Sequence, residues 1–288
     1  MLRAVTPGGH PAITALWLIA VAGAVVAVAA AVLGERPIAA ALGLAATAVI
    51  VVAFVAYQLR LRRFSATLVE AEDALDAGDI TRARELMAPL LARFHRFPQV
   101  QEVAADVLYA AGDPLSAASL WESAMKKLGP PRIAPRLVAA YAALNRAGDA
   151  RRVAALAADD PMAKLALAWS ELAAKGGDRE RGAALARDLV RDAEQSPNAT
   201  VAAMTAVVAA IADARRGDRA GMTAKLEAMR RAKPTAHDAA FLGYLAGVAL
   251  REAGDVDAAR REFGDAIERA PESIGGALAR RERANLER

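Results

Sequence analysis

The sequence predicts an all-α protein in which a transmembrane helical hairpin is followed by an α-solenoid of helix pairs. Two long stretches, residues 12–33 and 38–59, contain no charged residue. The composition is 55% hydrophobic but only 5% aromatic, and most of the apolar residues are Ala or Val, of which Ala has the best helix propensity. A Gly-Asp dipeptide then recurs through the rest of the chain. No segment has the pattern expected of a strand.

The Gly-Asp dipeptides indicate a structural repeat. They lie at residues 78–79, 112–113, 148–149, 177–178, 217–218 and 254–255, at intervals of 29 to 40 residues. An interval near 34 residues is the length of one helix-turn-helix unit. Gly can end the first helix in the left-handed conformation, and Asp can cap the next helix. Such units bury their apolar faces only by stacking on neighbours, which predicts an array with a groove.

The repeat units resemble the tetratricopeptide repeat. In the last unit the residues that match the family pattern are Gly247, Leu250, Ala259, Phe263, Ala266 and Pro271. The unit around Gly112 repeats the pattern with Ala105, Leu108, Ala117, Trp121 and Ala124. The units around residues 148 and 177 are degenerate, and Gly176 fits the turn as well as Gly177. The resemblance covers roughly residues 64–271 and implies a TPR-like α-solenoid that binds other proteins.

The domain organisation follows from these segments. We predict an N-terminal tail over residues 1–11 and a transmembrane hairpin over residues 12–59. A TPR-like domain of about six helix pairs should occupy residues 60–271. Residues 272–288 have the charged, amphipathic composition expected of a C-terminal capping helix.

The two apolar stretches predict membrane spans, because crossing a bilayer requires roughly 20 apolar residues. A cleaved signal peptide is the alternative for the first stretch, but its apolar core is long and a second stretch follows almost at once. Arg60, Arg62 and Arg63 directly follow the second stretch. Basic flanking residues stay on the cytoplasmic side. The sequence therefore predicts a two-span protein of a bacterial inner membrane whose repeat domain is cytoplasmic.

The resemblance also implies which residues line the groove. In the two units that match best, these are Gln99, Glu102, Asp106 and Tyr109, and Phe241, Tyr244, Val248, Arg251 and Glu252. The weaker units add Glu72, Asn145, Arg146 and Arg215. Exposed Tyr and Arg side chains are common anchors in protein-binding sites. A solvated or packed structural role is the alternative for each of them.

Several classes of function are disfavoured by the composition. The chain has no Cys, which rules out disulfides and cysteine chemistry. The three histidines, His10, His95 and His237, are far apart in the sequence and do not form a ligand-spaced motif. Beyond residue 63 the acidic and basic residues balance and alternate, whereas nucleic-acid binding would favour a stripe of one sign. We therefore expect no enzyme activity, cofactor, metal, nucleic acid or small-molecule substrate.

The expected function is that of a membrane-anchored TPR scaffold that organises other proteins at the cytoplasmic face, with membrane lipid contacted through the two spans. One alternative is an integral accessory subunit of a secretion, motility or respiratory assembly, docked through small residues in its spans. A second alternative is a HemY-like protein, a family with two N-terminal spans followed by tetratricopeptide repeats. The four-residue turn between the spans departs from that family.

Overall fold

The computed structural model describes residues 32, 36–173, 176–193, 199–231, 234 and 236–287. The chain divides into two compact units, residues 1–66 and 67–288. The described residues contain helices and no strand. The α-helices are α1 (Arg36–Asp76), α2 (Ile80–Phe94), α3 (Pro98–Ala110), α4 (Pro114–Leu128), α5 (Pro130–Ala143), α6 (Ala147–Ala154), α7 (Pro161–Ala173), α8 (Arg179–Ala193), α9 (Ala199–Arg215), α10 (Arg219–Arg230), α11 (Ala236–Glu252), α12 (Val256–Arg269) and α13 (Ile274–Leu286). A short 3₁₀ helix, Ala155–Ala157, follows α6.

The structure does not agree with the predicted membrane placement. Within the part of the chain that the structure describes, no helix is long and apolar enough to cross a membrane. This finding contradicts the predicted two-span inner-membrane localisation with a cytoplasmic repeat domain. Residues 12–33 lie, apart from Val32, outside the described part.

The described part of the first unit consists almost entirely of α1, which continues without a break to Asp76. Several of its large apolar side chains are half exposed or more, namely Val49, Val51, Val52, Phe54 and Val55. Arg62 and Arg63, two of the three residues expected to fix the membrane orientation, are exposed side chains of the same helix. The side chain of Arg60 lies outside the described residues.

The Gly-Asp turn has the geometry that its sequence predicts at four of its six positions. Gly78, Gly112, Gly217 and Gly254 have φ between 78° and 82°. The backbone N–H of the Asp after each Gly donates to a carbonyl in the last turn of the preceding helix, as for Asp113 to Leu108 at 2.9 Å. The same Asp then caps the next helix, as in the 3.0 Å bond from the Ser116 N–H to the Asp113 carboxylate. One dipeptide therefore satisfies backbone groups at the end of one helix and at the start of the next.

Two of the predicted turns differ from the pattern. At Gly148-Asp149 the prediction is wrong, because both residues lie inside α6. The left-handed residue there is Asn145, with a φ of 58°, and its short polar side chain tolerates this conformation. Before α8 the left-handed residue is Gly176 rather than Gly177. Asp178 still caps α8, since its carboxylate accepts from the Arg181 N–H at 3.0 Å.

The second unit is built from helices that pack on their neighbours in chain order. From α3 and α4 onward the two helices of each pair pack together, and α5, α7, α9, α11 and α13 also contact one another in succession. Small residues lie where helices cross. A Cβ placed on Gly247 would lie 2.5 Å from the ring of Phe263, which is fully buried. The matched Gly and Phe of the last repeat are therefore a packing pair, with the glycine leaving space for the ring.

Helix α13 packs on α11 and α12 and also reaches earlier repeats. The Arg281 guanidinium donates to the Ala143 carbonyl at the end of α5, at 3.0 Å. At the turn between α3 and α4, a Cβ on Gly112 would lie 2.8 Å from the Ala277 Cβ. The C-terminal helix is therefore more than an end cap, because it also contacts the second and third helix pairs.

This contact predicts a difference between two glycines with the same backbone conformation. Gly112 and Gly254 have φ of +82° and +81°, but a Cβ on Gly254 would meet no atom within 4 Å. Gly254→Ala should lower the free energy of unfolding by about 1–2 kcal/mol, the cost of the left-handed conformation. Gly112→Ala should lower it by about 1–3 kcal/mol more, because α13 must shift. Urea denaturation of both variants measures the difference.

A second-site change controls for this interpretation. Ala277→Gly in the Gly112→Ala chain removes the clashing methyl group and should bring the loss back toward that of Gly254→Ala. Equal losses for the two single variants would contradict the close packing of α13 on this turn.

A buried carboxylate lies at the junction of the third and fourth helix pairs. Glu171 is completely buried, and its two oxygens accept from Arg151 Nε and Nη2 at 2.5 and 2.6 Å. The Asp178 N–H also donates to it at 2.6 Å. Because an unpaired charge in an apolar interior is costly, this bidentate pair fixes α6 against α7.

Two adjacent arginines give a matched test of this pair. Arg151→Ala leaves Glu171 without its cation and should lower the free energy of unfolding by about 3–5 kcal/mol. Arg152→Ala removes only an exposed pair with Asp149 and should change it by less than about 0.5 kcal/mol. Thermal and urea denaturation report both values, and similar losses for the two variants would contradict a structural role of the Glu171 pair.

Candidate binding cavity

A cavity of about 600 Å³ opens between helices of the second unit. Its volume is roughly that of twenty water molecules in the liquid and lies within the usual range for ligand sites. Side chains from α1, α3, α4, α5, α7, α9, α11 and α13 surround it. The apolar part of the wall consists of Leu75, Tyr109, Trp121, Pro135, Ala139, Met162, Leu165, Trp169, Met204, Val208, Phe241 and Leu245, with smaller residues between them.

Aromatic side chains form two contacts in this wall. Tyr109 of α3 packs against Trp121 of α4, with 5.6 Å between the ring centroids. Trp169 of α7 and Phe241 of α11 meet edge to face at 5.3 Å. The cavity thus has aromatic surface contributed by four different helices, and such rings supply a large apolar area at low cost in side-chain entropy.

Charged side chains of α3 and α5 line one side of the cavity. Glu102 is 3% exposed, and its carboxylate accepts from Arg132 Nη2 at 2.7 Å and from Arg136 Nη1 at 2.9 Å. Arg136 Nε also lies 3.0 Å from an oxygen of Asp106. The ion pairs hold α3 against α5 and place the Asp106 carboxyl in the cavity wall.

The surroundings of this cluster disfavour further negative charge. Burial raises the pKa of Asp106 from 3.8 to about 7; the Arg136 guanidinium opposes this shift, and the nearby Glu102 adds to it. The pKa of Glu72 is also raised, first by desolvation and then by Glu102. Burial likewise raises the pKa of the Tyr109 hydroxyl. Two separate carboxyl groups near the cavity are therefore harder to ionise than in water.

The Asp106 shift predicts a pH-dependent stability. A carboxyl whose pKa is higher in the folded than in the unfolded state stabilises the fold while it is protonated, and that contribution is lost as the pH rises from about 4 to about 7. Relative to Asp106→Asn, the unfolding free energy of the wild type should fall by roughly 2–3 kcal/mol between pH 5 and pH 8. Denaturant titrations of both proteins at several pH values measure this difference in the free energy of unfolding.

The matched control is Asp257→Asn, because the Asp257 side chain is 80% exposed. The free energy of unfolding of Asp257→Asn should change with pH in the same way as that of the wild type. A constant difference between wild type and Asp106→Asn over this range would show that Asp106 ionises normally.

The structure brings some of the predicted groove residues to the cavity. Asp106, Tyr109 and Phe241 line it. Glu102 lies behind this wall in its ion pairs with α5, and its charge adds to the raised pKa of Glu72 of α1. Gln99 is half-buried at the start of α3 and is not part of the lining.

The remaining predicted residues from the last repeats are packed against α13. Tyr244 is 3% exposed and contacts the rings of Trp169 and Phe263 at 6.3 Å, and Val248 is also buried. Glu252 pairs with Arg215 at 3.1 Å and with Arg251 at 2.7 Å. Arg251 also pairs with Glu282 of α13. Helix α13 therefore covers the part of the groove that these residues were expected to leave open.

Asn145 and Arg146 belong to the turn before α6. Asn145 supplies the left-handed residue of that turn. The Arg146 guanidinium lies 4.9 Å from the centroid of the Tyr141 ring and pairs with Asp149 at 2.5 Å. The geometry gives both residues a local structural role, and neither lines the cavity.

The groove positions taken from the resemblance missed several lining residues. Arg132 and Arg136 lie four residues apart on α5, and setting the start of that helix at Pro130-Pro131 would have placed both on one face. Trp169 belongs to the degenerate fourth unit, in which the sequence does not define the positions of the repeat. Asp160 and Met162 lie at the start of α7, beside a turn rather than within the repeat pattern.

Three solved structures are similar to this chain at low sequence identity. A tetratricopeptide repeat protein from Parabacteroides merdae ATCC 43184 is 12% identical, with 91% of this chain and 99% of that chain covered and a TM-score of 0.52. The thermophilic TPR protein TTC0263 of Thermus thermophilus is 18% identical, with 66% and 99% covered and a TM-score of 0.47. The TPR domain of P58(IPK) is 13% identical, with 95% and 80% covered and a TM-score of 0.37.

No protein-family model matches the sequence, and no curated protein matches it. The likeness to the Parabacteroides protein, at this low identity, establishes the fold and nothing more. The predicted TPR-like α-solenoid is therefore confirmed as the fold of the repeat helices. The transmembrane hairpin that was predicted to precede it has no such support.

Proposed function

We propose that this chain is a protein-binding scaffold whose cavity holds an apolar segment of a partner protein. The cavity itself is the observation that supports the proposal, because the partly exposed Tyr109 and Phe241, backed by the buried Trp121 and Trp169, line one open space. Apolar surface removed from water contributes about 25 cal/mol per Å², and aromatic residues around a pocket are typical of binding hot spots.

The charged residues of the cavity favour binding over catalysis. Glu102 accepts from both Arg132 and Arg136, and Arg136 also contacts Asp106. These groups neutralise one another and hold two helices in register, whereas a general acid or base must reach a substrate proton. The TPR-like fold supports the same proposal, since stacked helix pairs present extended surfaces for protein partners.

A cavity-filling variant tests the proposal. Ala139 of α5 lines the cavity, and Ala139→Phe would place a ring in that space. The matched control is Ala184→Phe, at an exposed position of α8 that is not part of the lining. The full-length chain is used to select binders from a displayed library of random 12-residue peptides, and affinities of the selected peptides are measured by fluorescence anisotropy.

We expect Ala139→Phe to weaken peptide binding by about tenfold or more, since it removes the space for one apolar anchor. Ala184→Phe should stay within about twofold of wild type. Met162→Ala, at a cavity position that is 38% exposed, serves as a second variant that should fold normally and bind more weakly. Selection of no peptide, or equal affinities for both Phe variants that fold, would overturn the proposal.

A further inference from the structure

The charged groups in the wall of the cavity do not balance. Among the described residues, leaving Asp238 aside, four carboxyl groups lie in or directly behind the wall and face two guanidinium groups, so the acidic groups outnumber the basic ones. The acidic residues are Asp76, Asp106, Asp160 and Glu102, and the basic residues are Arg132 and Arg136. Asp238 of α11 also lines the cavity, but it is engaged in an interaction of its own and is not counted.

Both arginines are already engaged with carboxylates. Arg132 pairs with Glu102, and Arg136 pairs with Glu102 and Asp106. Their positive charge is therefore directed at the side of the cavity formed by α3 and α5. Asp76 at the end of α1 and Asp160 before α7 lie elsewhere in the wall.

Neighbouring carboxylates contribute to the raised pKa of Asp106. Burial is the largest cause, Arg136 opposes it, and Glu102 and Glu72 add to it. A positive charge placed in the cavity would stabilise the ionised form of each of these groups. The wall thus has the electrostatic character of a cation site.

The chemistry of the wall favours an organic cation. In the described part of the chain, no three His, Cys, Asp or Glu side chains converge closely enough to hold a metal ion. Tyr109 and Phe241 are partly exposed and lie in the same wall, and the face of a Tyr or Phe ring attracts an ammonium or guanidinium group. Aromatic rings between carboxylates suit a side chain with an apolar stem and a charged end, as in Lys and Arg.

We infer that the segment held in the cavity carries a lysine or arginine side chain next to its apolar anchor. The inference rests on the proposed function, because it names the kind of partner segment that the same cavity binds. The apolar anchor packs on the aromatic side chains of the cavity wall, and the cationic side chain faces the aspartates of the same wall. Charge complementarity of this kind selects among partners that have similar apolar surfaces.

The peptide selection described above provides the first test. Peptides that bind should be enriched in Lys or Arg within a few positions of a large apolar residue. Replacing that Lys by Glu in a selected peptide should weaken binding on the order of tenfold or more at low salt, because like charges would then meet. Selected peptides without a preference for basic residues would overturn this inference while leaving the proposed function in place. Selection of no peptide would overturn the proposed function itself.

A pair of double variants tests whether the cavity aspartates carry the preference. Asp76→Asn with Asp160→Asn removes two negative charges from the wall. The Asp160 carboxylate accepts from the Ala163 N–H at 2.9 Å, and an asparagine in its place would still cap α7. The control is Asp188→Asn with Asp257→Asn, which removes two charges from side chains that are 69% and 80% exposed on other helices. Both proteins carry the same net charge.

The wall variant should bind a Lys-containing peptide on the order of three- to tenfold more weakly than wild type. The control should stay within about twofold, and a peptide with norleucine in place of Lys should bind all three proteins alike. Equal losses in the wall variant and the control would show that overall charge, not the cavity, attracts the peptide, and would overturn the inference.

Discussion

The turn between the helices of each pair is the interaction on which the repeat unit depends. In five of the pairs one residue in the left-handed conformation ends the first helix and an aspartate carboxylate caps the second, as at Gly254-Asp255, where the Ala258 N–H donates at 3.0 Å; α6 lacks the aspartate cap. Every helix leaves unpaired N–H and carbonyl groups at its ends. The turn satisfies groups of both kinds within a few residues, so the helices of a pair are forced to lie antiparallel and in contact.

Helix α13 packs over the last repeats, and its position determines where a surface stays open. Its early residues Ile274, Gly275 and Gly276 are buried, and a Cβ on Gly275 would lie 2.4 Å from the Phe241 backbone. This close approach places Glu282 beside Arg251. The open space therefore lies between the earlier helices and α11, where Tyr109, Trp169 and Phe241 meet.

Local chemistry explains what could be predicted from the sequence. The Gly-Asp turns and the Gly247–Phe263 packing pair follow from neighbours within one repeat, so their pattern is readable. At position 145 an Asn takes the left-handed conformation. A search for Gly therefore does not find this turn. The burial of Tyr244 depends on a helix 30 residues further on, and no repeat pattern encodes that contact. The membrane hairpin was predicted from the length of two apolar stretches, and no described helix is long and apolar enough to cross a membrane.

The buried carboxylates have a role that follows from the composition of the core. Many core positions are Ala. Because Ala side chains are short and identical, a shift of one helix along another changes the packing of such faces little. Glu102, Glu171 and Asp213 are each 3% exposed or less and each pairs with cations of a nearby segment. Such pairs add little net stability, but a shifted register would leave a charge unpaired. We interpret them as the groups that set helix register. The Glu102 pair does this beside the cavity, and it also engages Arg132 and Arg136, the two arginines of the cavity wall.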